Sequence, residues 1–201
     1  MVFLLAVTAV MGYYASKIEL SYEFTSAVPS DNPKLIAYQA FRKQFGEDGN
    51  LMVVGVQTDK FFDPTFFTDY VALTKSLSKV NSVTNVLSIP DAINLVKDTS
   101  TQKLKVVKIV ADGTPLDVAQ VKNTFYNLPF YKGFLYNADS HAYLMGLRIE
   151  KNVLNSKQRN IVVGKIMSLC DAFGKKHQVE MHYSGLPLIR TMMATKVKDE
   201  M

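Results

Sequence analysis

Three histidines and one cysteine are the residues of this sequence best suited to chemistry: His141, His177, His182 and Cys170. Glu180 and His182 stand two positions apart, so on a strand they would share a face. A protein zinc site needs three or four converging ligands, and the sequence suggests only this pair. We therefore predict a surface pair without a bound metal. His177 stands at the end of a predicted helix, where the helix dipole favours a cation.

The sequence shows no motif of a known reaction. It contains no G-x-S-x-G elbow, Walker loop, H-E-x-x-H or C-x-x-C. Cys170 lies on a predicted helix among Ile166, Leu169 and Phe173, so we expect a core residue and not a nucleophile. A single cysteine also excludes an internal disulfide and a cysteine-based zinc site. We predict that the chain is not an enzyme and has no cofactor.

Residues 125–136, FYNLPFYKGFLY, are the stretch whose composition best suits a ligand. They contain six aromatic residues: Phe125, Tyr126, Phe130, Tyr131, Phe134 and Tyr136. Aromatic and apolar side chains line sites for apolar molecules, and they are equally ordinary core material. Two interpretations stay open: candidate residues along a substrate path, or core packing combined with an interface.

The overall composition fits one large folded domain or two small ones. The chain has 201 residues, of which 48% are hydrophobic and 20% charged, and its 23 basic and 18 acidic residues give a net charge of +5. A nucleic-acid-binding domain would combine a basic cluster with a recognisable motif, and the sequence has neither. We therefore exclude nucleic acid as a partner.

The first segment, residues 2–15, carries no charged residue. Its 14 residues fall short of the roughly 20 that a membrane-spanning helix needs. Three interpretations compete: a signal peptide without its basic start, a buried core helix, or the outer end of a transmembrane helix. Tyr13, Tyr14 and Lys17 suit the third, because aromatic and charged residues mark the edge of a bilayer. Residues 18–24 then alternate as an exposed strand would.

Residues 29–56 contain a helix followed by a buried strand. Asp31 or Asn32 can cap the helix, and Gly46 can end it. The helix would place three aromatic residues on one core-facing side: Tyr38, Phe41 and Phe45. The apolar run 51–56 reads as the strand.

The remaining chain alternates short strands with amphipathic helices. Predicted strands cover 51–58, 83–89, 103–110, 134–136, 141–149 and 179–184. Predicted helices cover 64–79, 91–96, 114–128, 157–176 and 186–201, with Thr114 and Ser156 as caps. The lysine-containing strand 103–110 indicates one solvated face, with a phosphate or anionic-lipid site as the alternative. Two strand–helix–strand units predict an α+β sandwich with helices on one face of each sheet.

Several short motifs occur in an order that resembles one family. They are Asp31-x-Pro33, Phe41-x-x-x-Phe45-Gly46, the strand 51–56, VNSVTNVLS at 80–88, NADSHAYLMGLRI at 137–149, and Ser184-Gly185-Leu186-Pro187. Together they resemble the first extracytoplasmic domain of RND-superfamily transporters, close to the MMPL- and patched-like branch. The resemblance covers about residues 12–195. It departs from the family around Ser140-His141, which replace the usual glycine.

The resemblance implies ferredoxin-like βαβ units that form an α/β sandwich. It divides the chain into the end of a transmembrane helix (1–16), a periplasmic porter domain (17–185) and a helix leading into the next span (186–201). The implied function is that of a proton-driven exporter of lipids or other hydrophobic molecules, in which this domain shapes the substrate path. The proton-relay carboxylates of the family lie in later membrane helices.

The implied partners are a hydrophobic or lipid substrate, the sister periplasmic domain of the same protein, and the membrane. The implied location is the bacterial inner membrane, with this domain in the periplasm. The alternative is a membrane-tethered or secreted α+β ligand-binding domain, anchored by its N-terminal segment.

Overall fold

The computed structural model describes residues 2–15, 29–45, 49–98, 102–111, 115–154, 156 and 158–200. Helices in these ranges are α1 Val2–Ala15, α2 Pro33–Phe45, α3 Pro64–Ser78, α4 Val118–Tyr126, α5 Lys151–Leu154, α6 Gln158–His177 and α7 Leu186–Asp199. Strands are β1 Leu51–Gln57, β2 Val83–Leu87, β3 Ile93–Lys97, β4 Leu104–Lys108, β5 Tyr136–Asn137, β6 Ala142–Ile149 and β7 Met181–Ser184. The predicted strand 18–24 and the predicted helix stop at Gly46 lie outside these ranges.

The main sheet has the strand order β2–β6–β1–β7, and β5 pairs with the beginning of β6. All of these pairs are antiparallel. Because β1 and β2 both run antiparallel to β6, they are parallel to each other with β6 between them. By the same reasoning β6 and β7 are parallel, with β1 between them. The two strand–helix–strand units are therefore interleaved, and the predicted α+β class is confirmed.

The core lies between one face of this sheet and two helices. Its sheet side is formed by alternate residues of β1 and β6, such as Met52, Val54, Met145 and Leu147. The predicted stripe of α3 is buried: Phe67, Tyr70, Thr74 and Leu77. The predicted stripe of α6 is buried at Val162, Ile166 and Phe173 and half-buried at Leu169. Amphipathic helix periodicity thus predicted these packing faces correctly.

The opposite face of the main sheet is more open. The side chain of Leu51 is exposed, while Val53, Leu144 and Gly146 are half-buried. These residues alternate with the core residues along β1 and β6, as the two-residue period of a strand requires. The main sheet therefore has α3 and α6 on one face, as predicted.

The second sheet is a hairpin of β3 and β4, and it corrects two predictions. Residues 91–96 were expected to form a helix, but Ile93–Lys97 is a strand whose Ile93 pairs with Lys108 of β4. The Ser88 hydroxyl donates to the Asp91 carboxylate at 2.7 Å, so Asp91 belongs to the turn before the strand. All strand residues of this hairpin except Asn94 are exposed, so the prediction of a helix-covered face is wrong here.

The start of α4 also differs from the prediction. The helix begins at Val118 and not directly after Thr114, because the Asp117 carboxylate accepts a hydrogen bond from the Gln120 backbone N–H at 3.0 Å. Asp117 is therefore the residue that caps the helix. The helix ends at Tyr126, two residues before the predicted end, and a 3₁₀ turn follows at Pro129–Tyr131.

The first two helices present apolar side chains to solvent. Tyr38 and Phe41 of α2 are 47% and 57% exposed, so the predicted core-facing aromatic side is wrong; the side chain of Phe45 lies outside the described residues. The side chains of α1 are exposed from Phe3 to Ala15, which contradicts its interpretation as a buried core helix. Among the described residues, no helix combines the length and the apolar composition that crossing a bilayer requires.

Candidate functional site

The aromatic segment 125–136 divides into a buried and an exposed half. Phe125, Tyr131 and Tyr136 are buried in the core cluster. Tyr126, Phe130 and Phe134 are 37%, 78% and 53% exposed. The structure therefore places three of the six predicted path residues in the core and leaves the other three open to a ligand or partner.

The buried half is held by ring packing and by one hydroxyl group. The Phe125 ring stacks on Tyr131 at 5.7 Å and contacts Tyr136 at 5.1 Å between centroids. The Tyr131 hydroxyl accepts from the Ile93 N–H at 2.9 Å and donates to the Ile93 carbonyl oxygen at 3.1 Å. Tyr131 therefore fastens the aromatic segment to the beginning of the β3–β4 hairpin.

Tyr126 lies at the border between the two halves. Its hydroxyl is 2.9 Å from the hydroxyl of Tyr143, and its ring contacts Tyr136 at 5.1 Å and Phe62 at 5.4 Å. Burial raises the pKa of Tyr143 well above the usual tyrosine range, and the hydrogen bond with Tyr126 raises it further. At neutral pH the Tyr143 hydroxyl is therefore protonated, which suits a hydrogen-bonding role and not that of a base.

The exposed half forms a small apolar surface on a tight turn. The rings of Phe130 and Phe134 lie 6.4 Å apart, with Gly133 between them in the chain. Gly133 has φ +77°, a left-handed conformation that glycine adopts without strain. The turn thus presents two large apolar rings side by side, which suits contact with an apolar molecule or a protein surface.

The β3–β4 hairpin adds a second exposed apolar surface. One of its faces carries four exposed apolar residues: Ile93, Leu95, Leu104 and Val106. Lys97 and Lys108 lie on the same face, opposite Leu104 and Ile93 in the strand register. The lysine-containing strand was correctly predicted, but both of its faces are exposed and not only one.

Each histidine lies close to a carboxylate. His177 Nε2 is 2.9 Å and Lys176 Nζ is 2.7 Å from the same Asp69 oxygen. The hydrogen bond from Lys176, the charge of its ammonium group and the contact with His177 together lower the pKa of Asp69, outweighing the opposing effect of burial. His141 contacts Asp59 through Nδ1, while His182 Nδ1 is 4.0 Å from Glu180 on the exposed surface.

The remaining sequence candidate, Cys170, is fully buried, and burial raises the pKa of its thiol to about 12. A thiol in this state is a poor nucleophile, and its predicted place in the core is confirmed. Throughout the described ranges, no three His, Cys, Asp or Glu side chains converge as a metal ion would require.

Two clefts were missed by the sequence analysis. One, of about 610 Å³, lies beside His177 and the start of α3. The other, of about 590 Å³, lies between the end of α3 and the first half of α6. Each is lined by two distant segments, residues 58–66 with 177–179 in the first and 76–82 with 158–169 in the second, so no local pattern could reveal it. The clefts form only because α3 and α6 pack side by side.

Comparisons with known proteins do not assign this chain. No protein-family model matches it, and its sequence has no significant match among curated proteins. The function proposed below therefore rests on the fold, on the exposed surfaces and on the order of the sequence motifs.

Proposed function

We propose that this chain is the extracytoplasmic porter domain of an RND-type exporter of lipids or other hydrophobic molecules. The observation that carries the proposal is the interleaved strand order β2–β6–β1–β7 of two strand–helix–strand units. This order is compatible with the ferredoxin-like, split-βαβ arrangement that the family resemblance implies, and so supports the proposal. Because many unrelated proteins use this fold, the order of the family-like motifs is needed to select the function.

The connections of the sheet support an insertion between two membrane helices. Val53, near the start of β1, pairs with Ser184 at the end of β7, so the chain enters and leaves the sheet at the same end. Gly185 follows immediately and is the N-cap of α7. A domain that is inserted between two neighbouring membrane helices needs its entry and exit close together in this way.

The open face of the main sheet and the exposed aromatic turn fit the roles expected of a porter domain. The open sheet face around Leu51, Val53 and Leu144 offers a half-apolar surface to the sister periplasmic domain. The exposed rings of Phe130 and Phe134 lie near the opposite end of the sheet, since β5 pairs there with the start of β6. In this proposal they contact the hydrophobic substrate, while proton-relay carboxylates in the membrane part supply the driving force.

The location is tested with a cysteine reporter in the full-length protein in its own host. A Leu104→Cys substitution in a Cys170→Ala background places one thiol on the exposed hairpin. Reagents that cannot cross the inner membrane should label it in intact cells, because the proposed domain lies in the periplasm. Labelling that requires lysis of the inner membrane would refute the location.

The transport role is tested by depleting the full-length protein and following envelope lipids. We expect one lipid class to accumulate at the inner membrane, and a protonophore to reproduce this accumulation. A Phe130→Ala/Phe134→Ala double variant should slow export several-fold at an unchanged protein level, because both side chains are exposed. Ile36→Ala on α2, which also removes an exposed apolar side chain, is the matched control. Unchanged lipid distribution on depletion contradicts the proposal.

The two clefts favour a second candidate, a tethered or secreted α+β ligand-binding domain. Clefts of about 590 and 610 Å³ fall within the size range of small-molecule sites. Mass spectrometry of the mature N-terminus separates the candidates. Removal of residues 1–16 supports the secreted domain, and their retention next to further membrane spans supports the porter domain.

A further inference from the structure

The cleft between α3 and α6 has an apolar wall and floor. Val80, Val162 and Leu169 are buried or half-buried at its base, while Ile161 is 73% exposed at its side. The remaining lining residues are polar: Ser76, Lys79, Asn81, Ser82, Gln158 and Lys165. An apolar chain in this cleft would remove the Ile161 side chain from water, which is favourable.

The charged groups of the cleft are of one sign. Lys79 at the end of α3 and Lys165 on α6 both line it, and its lining contains no carboxylate. Within the described part of the chain, neither ammonium group forms an ion pair within 4.0 Å. Two cations beside an apolar surface complement a molecule that carries an acidic group at the end of an apolar chain.

The cleft lies at the end of the sheet where β1 begins. The Ser82 carbonyl oxygen, at the cleft, accepts a hydrogen bond from the Glu150 N–H at 2.8 Å. The neighbouring Ile149 N–H donates to the Asn50 carbonyl oxygen at 2.9 Å, one residue before β1. The cleft and the aromatic turn at residues 130–134 are therefore at opposite ends of the sheet, and they are separate surfaces.

We propose that this cleft binds a single-chain amphiphile with an anionic headgroup, such as a fatty carboxylate. The acyl chain lies along Ile161, Val162 and Leu169, and the headgroup meets Lys79 and Lys165. A second copy of the chain that docks cleft to cleft is a poorer occupant, because it would bring the same two lysines to the contact. The proposal goes beyond the exporter function and does not depend on it, since binding here requires neither transport nor a sister domain.

Photo-crosslinking tests the site in the 201-residue chain, mixed with phosphatidylcholine nanodiscs. The probe is a hexadecanoate that carries a diazirine on its chain, and labelled positions are read by mass spectrometry. We expect labels within residues 76–82 and 158–169. Oleate should compete with the probe, whereas oleyl alcohol, which has a similar chain and no charge, should compete at least several-fold less well.

The charges and the wall are tested by matched variants. Each of Lys79→Gln and Lys165→Gln should weaken labelling about fivefold, as expected for one basic group beside an anionic lipid. Lys122→Gln and Lys175→Gln remove lysines that do not line the cleft, and should leave labelling unchanged. Ile161→Glu should abolish most labelling while Ile161→Leu retains it.

Three results would overturn the proposal. Labels concentrated on α1 would show simple partition into the nanodisc. Equal competition by oleate and oleyl alcohol would remove the role of the lysines. Wild-type labelling in the Lys79→Gln/Lys165→Gln variant would do the same. None of these results bears on export, which is measured separately in cells.

Discussion

The two sheets of this protein are built from similar residues and have opposite environments. β1 and the β3–β4 hairpin are both rich in valine, leucine and isoleucine. Met52, Val54 and Val56 of β1 are nearly inaccessible to solvent, whereas Leu95 and Leu104 of the hairpin are more than half exposed. A strand-forming sequence therefore predicts the strand but not whether a helix covers it.

The difference follows from what stands against each sheet. α3 and α6 cover the inner face of the main sheet, and the buried Phe61 packs between β6 and α3. The Phe61 ring stacks on Tyr143 at 3.9 Å and contacts Tyr70 at 4.8 Å between centroids. On the hairpin, the Tyr131 hydroxyl makes hydrogen bonds to the Ile93 backbone. The stability of the fold should therefore reside in the main sheet, while the hairpin is available for contacts.

The strongest test of this comparison removes one large apolar side chain from each sheet region. Phe61→Ala should lower the free energy of unfolding by about 3–5 kcal/mol, because it leaves a cavity among packed aromatic rings. Leu104→Ala should change it by less than about 0.5 kcal/mol, because the side chain is exposed. Urea unfolding followed by circular dichroism measures both. A comparable loss in the two variants would show that the hairpin is part of the stabilising core.

A second test uses two glycines with positive φ. Gly185→Ala should cost about 3 kcal/mol, because φ is +116° and a Cβ there would collide with the Leu51 carbonyl oxygen and approach Met52 Cα to 3.1 Å. Gly133→Ala should cost about 1 kcal/mol, since φ is +77° but no atom lies within 4 Å of its Cβ position. Equal costs, again measured by urea unfolding, would show that backbone strain alone matters and that the edge of the main sheet tolerates displacement.

A third test releases the hairpin without altering the main sheet. Tyr131→Phe removes the two hydrogen bonds to the Ile93 backbone and keeps the ring, at a cost of about 1 kcal/mol. Hydrogen exchange should accelerate at the Ile93 amide while the amides of Val54 and Val56 keep their protection. Faster exchange in β1 as well would mean that the two sheets open together.

The smallest expected effect is the pH dependence of the free energy of unfolding that comes from Asp69 of α3, beside Lys176 and His177 of α6. The pKa of Asp69 is held below its ordinary value of 3.8, so the folded state binds this proton more weakly than the unfolded state does. The contribution is therefore present above the unfolded pKa and is lost as the pH falls through the lowered folded value. Asp69→Asn should flatten the urea stability profile below about pH 4, whereas Asp139→Asn, at an exposed turn, should leave it unchanged. An unaltered profile in Asp69→Asn would show that the contacts of Asp69 with Lys176 and His177 do not cause the pH dependence of stability.

Local periodicity predicted the parts of the fold that depend on nearby residues. The stripe of Phe67, Tyr70 and Leu77 on α3 was correctly assigned to the core. The same spacing gave a wrong prediction of burial at Tyr38 and Phe41. A stripe shows which side of a helix is apolar but not whether anything packs against it. Residues 91–96 were wrongly given a helix, because the strand there is defined by pairing with β4.

The candidate site was predictable only in part. Composition identified the aromatic segment, but its division into buried Phe125 and exposed Phe130 depends on the 3₁₀ turn and on the tyrosine contact with Ile93. The cleft lined by Lys79 and Lys165 was not predicted from the sequence, because these residues stand 86 positions apart in the chain. Such sites follow from helix packing, which neither periodicity nor motif spacing specifies.

The interleaving of the strands also sets an order of events during synthesis. β1 and β2 do not pair with each other, and both form ladders with β6, which ends at Ile149. The main sheet therefore cannot assemble until the chain has left the ribosome as far as Ile149. Until then, strands that will become its centre have unpaired edges, and such edges promote aggregation of incomplete chains. We expect truncations that end before β6 to be held by chaperones or degraded instead of accumulating as a folded half-domain.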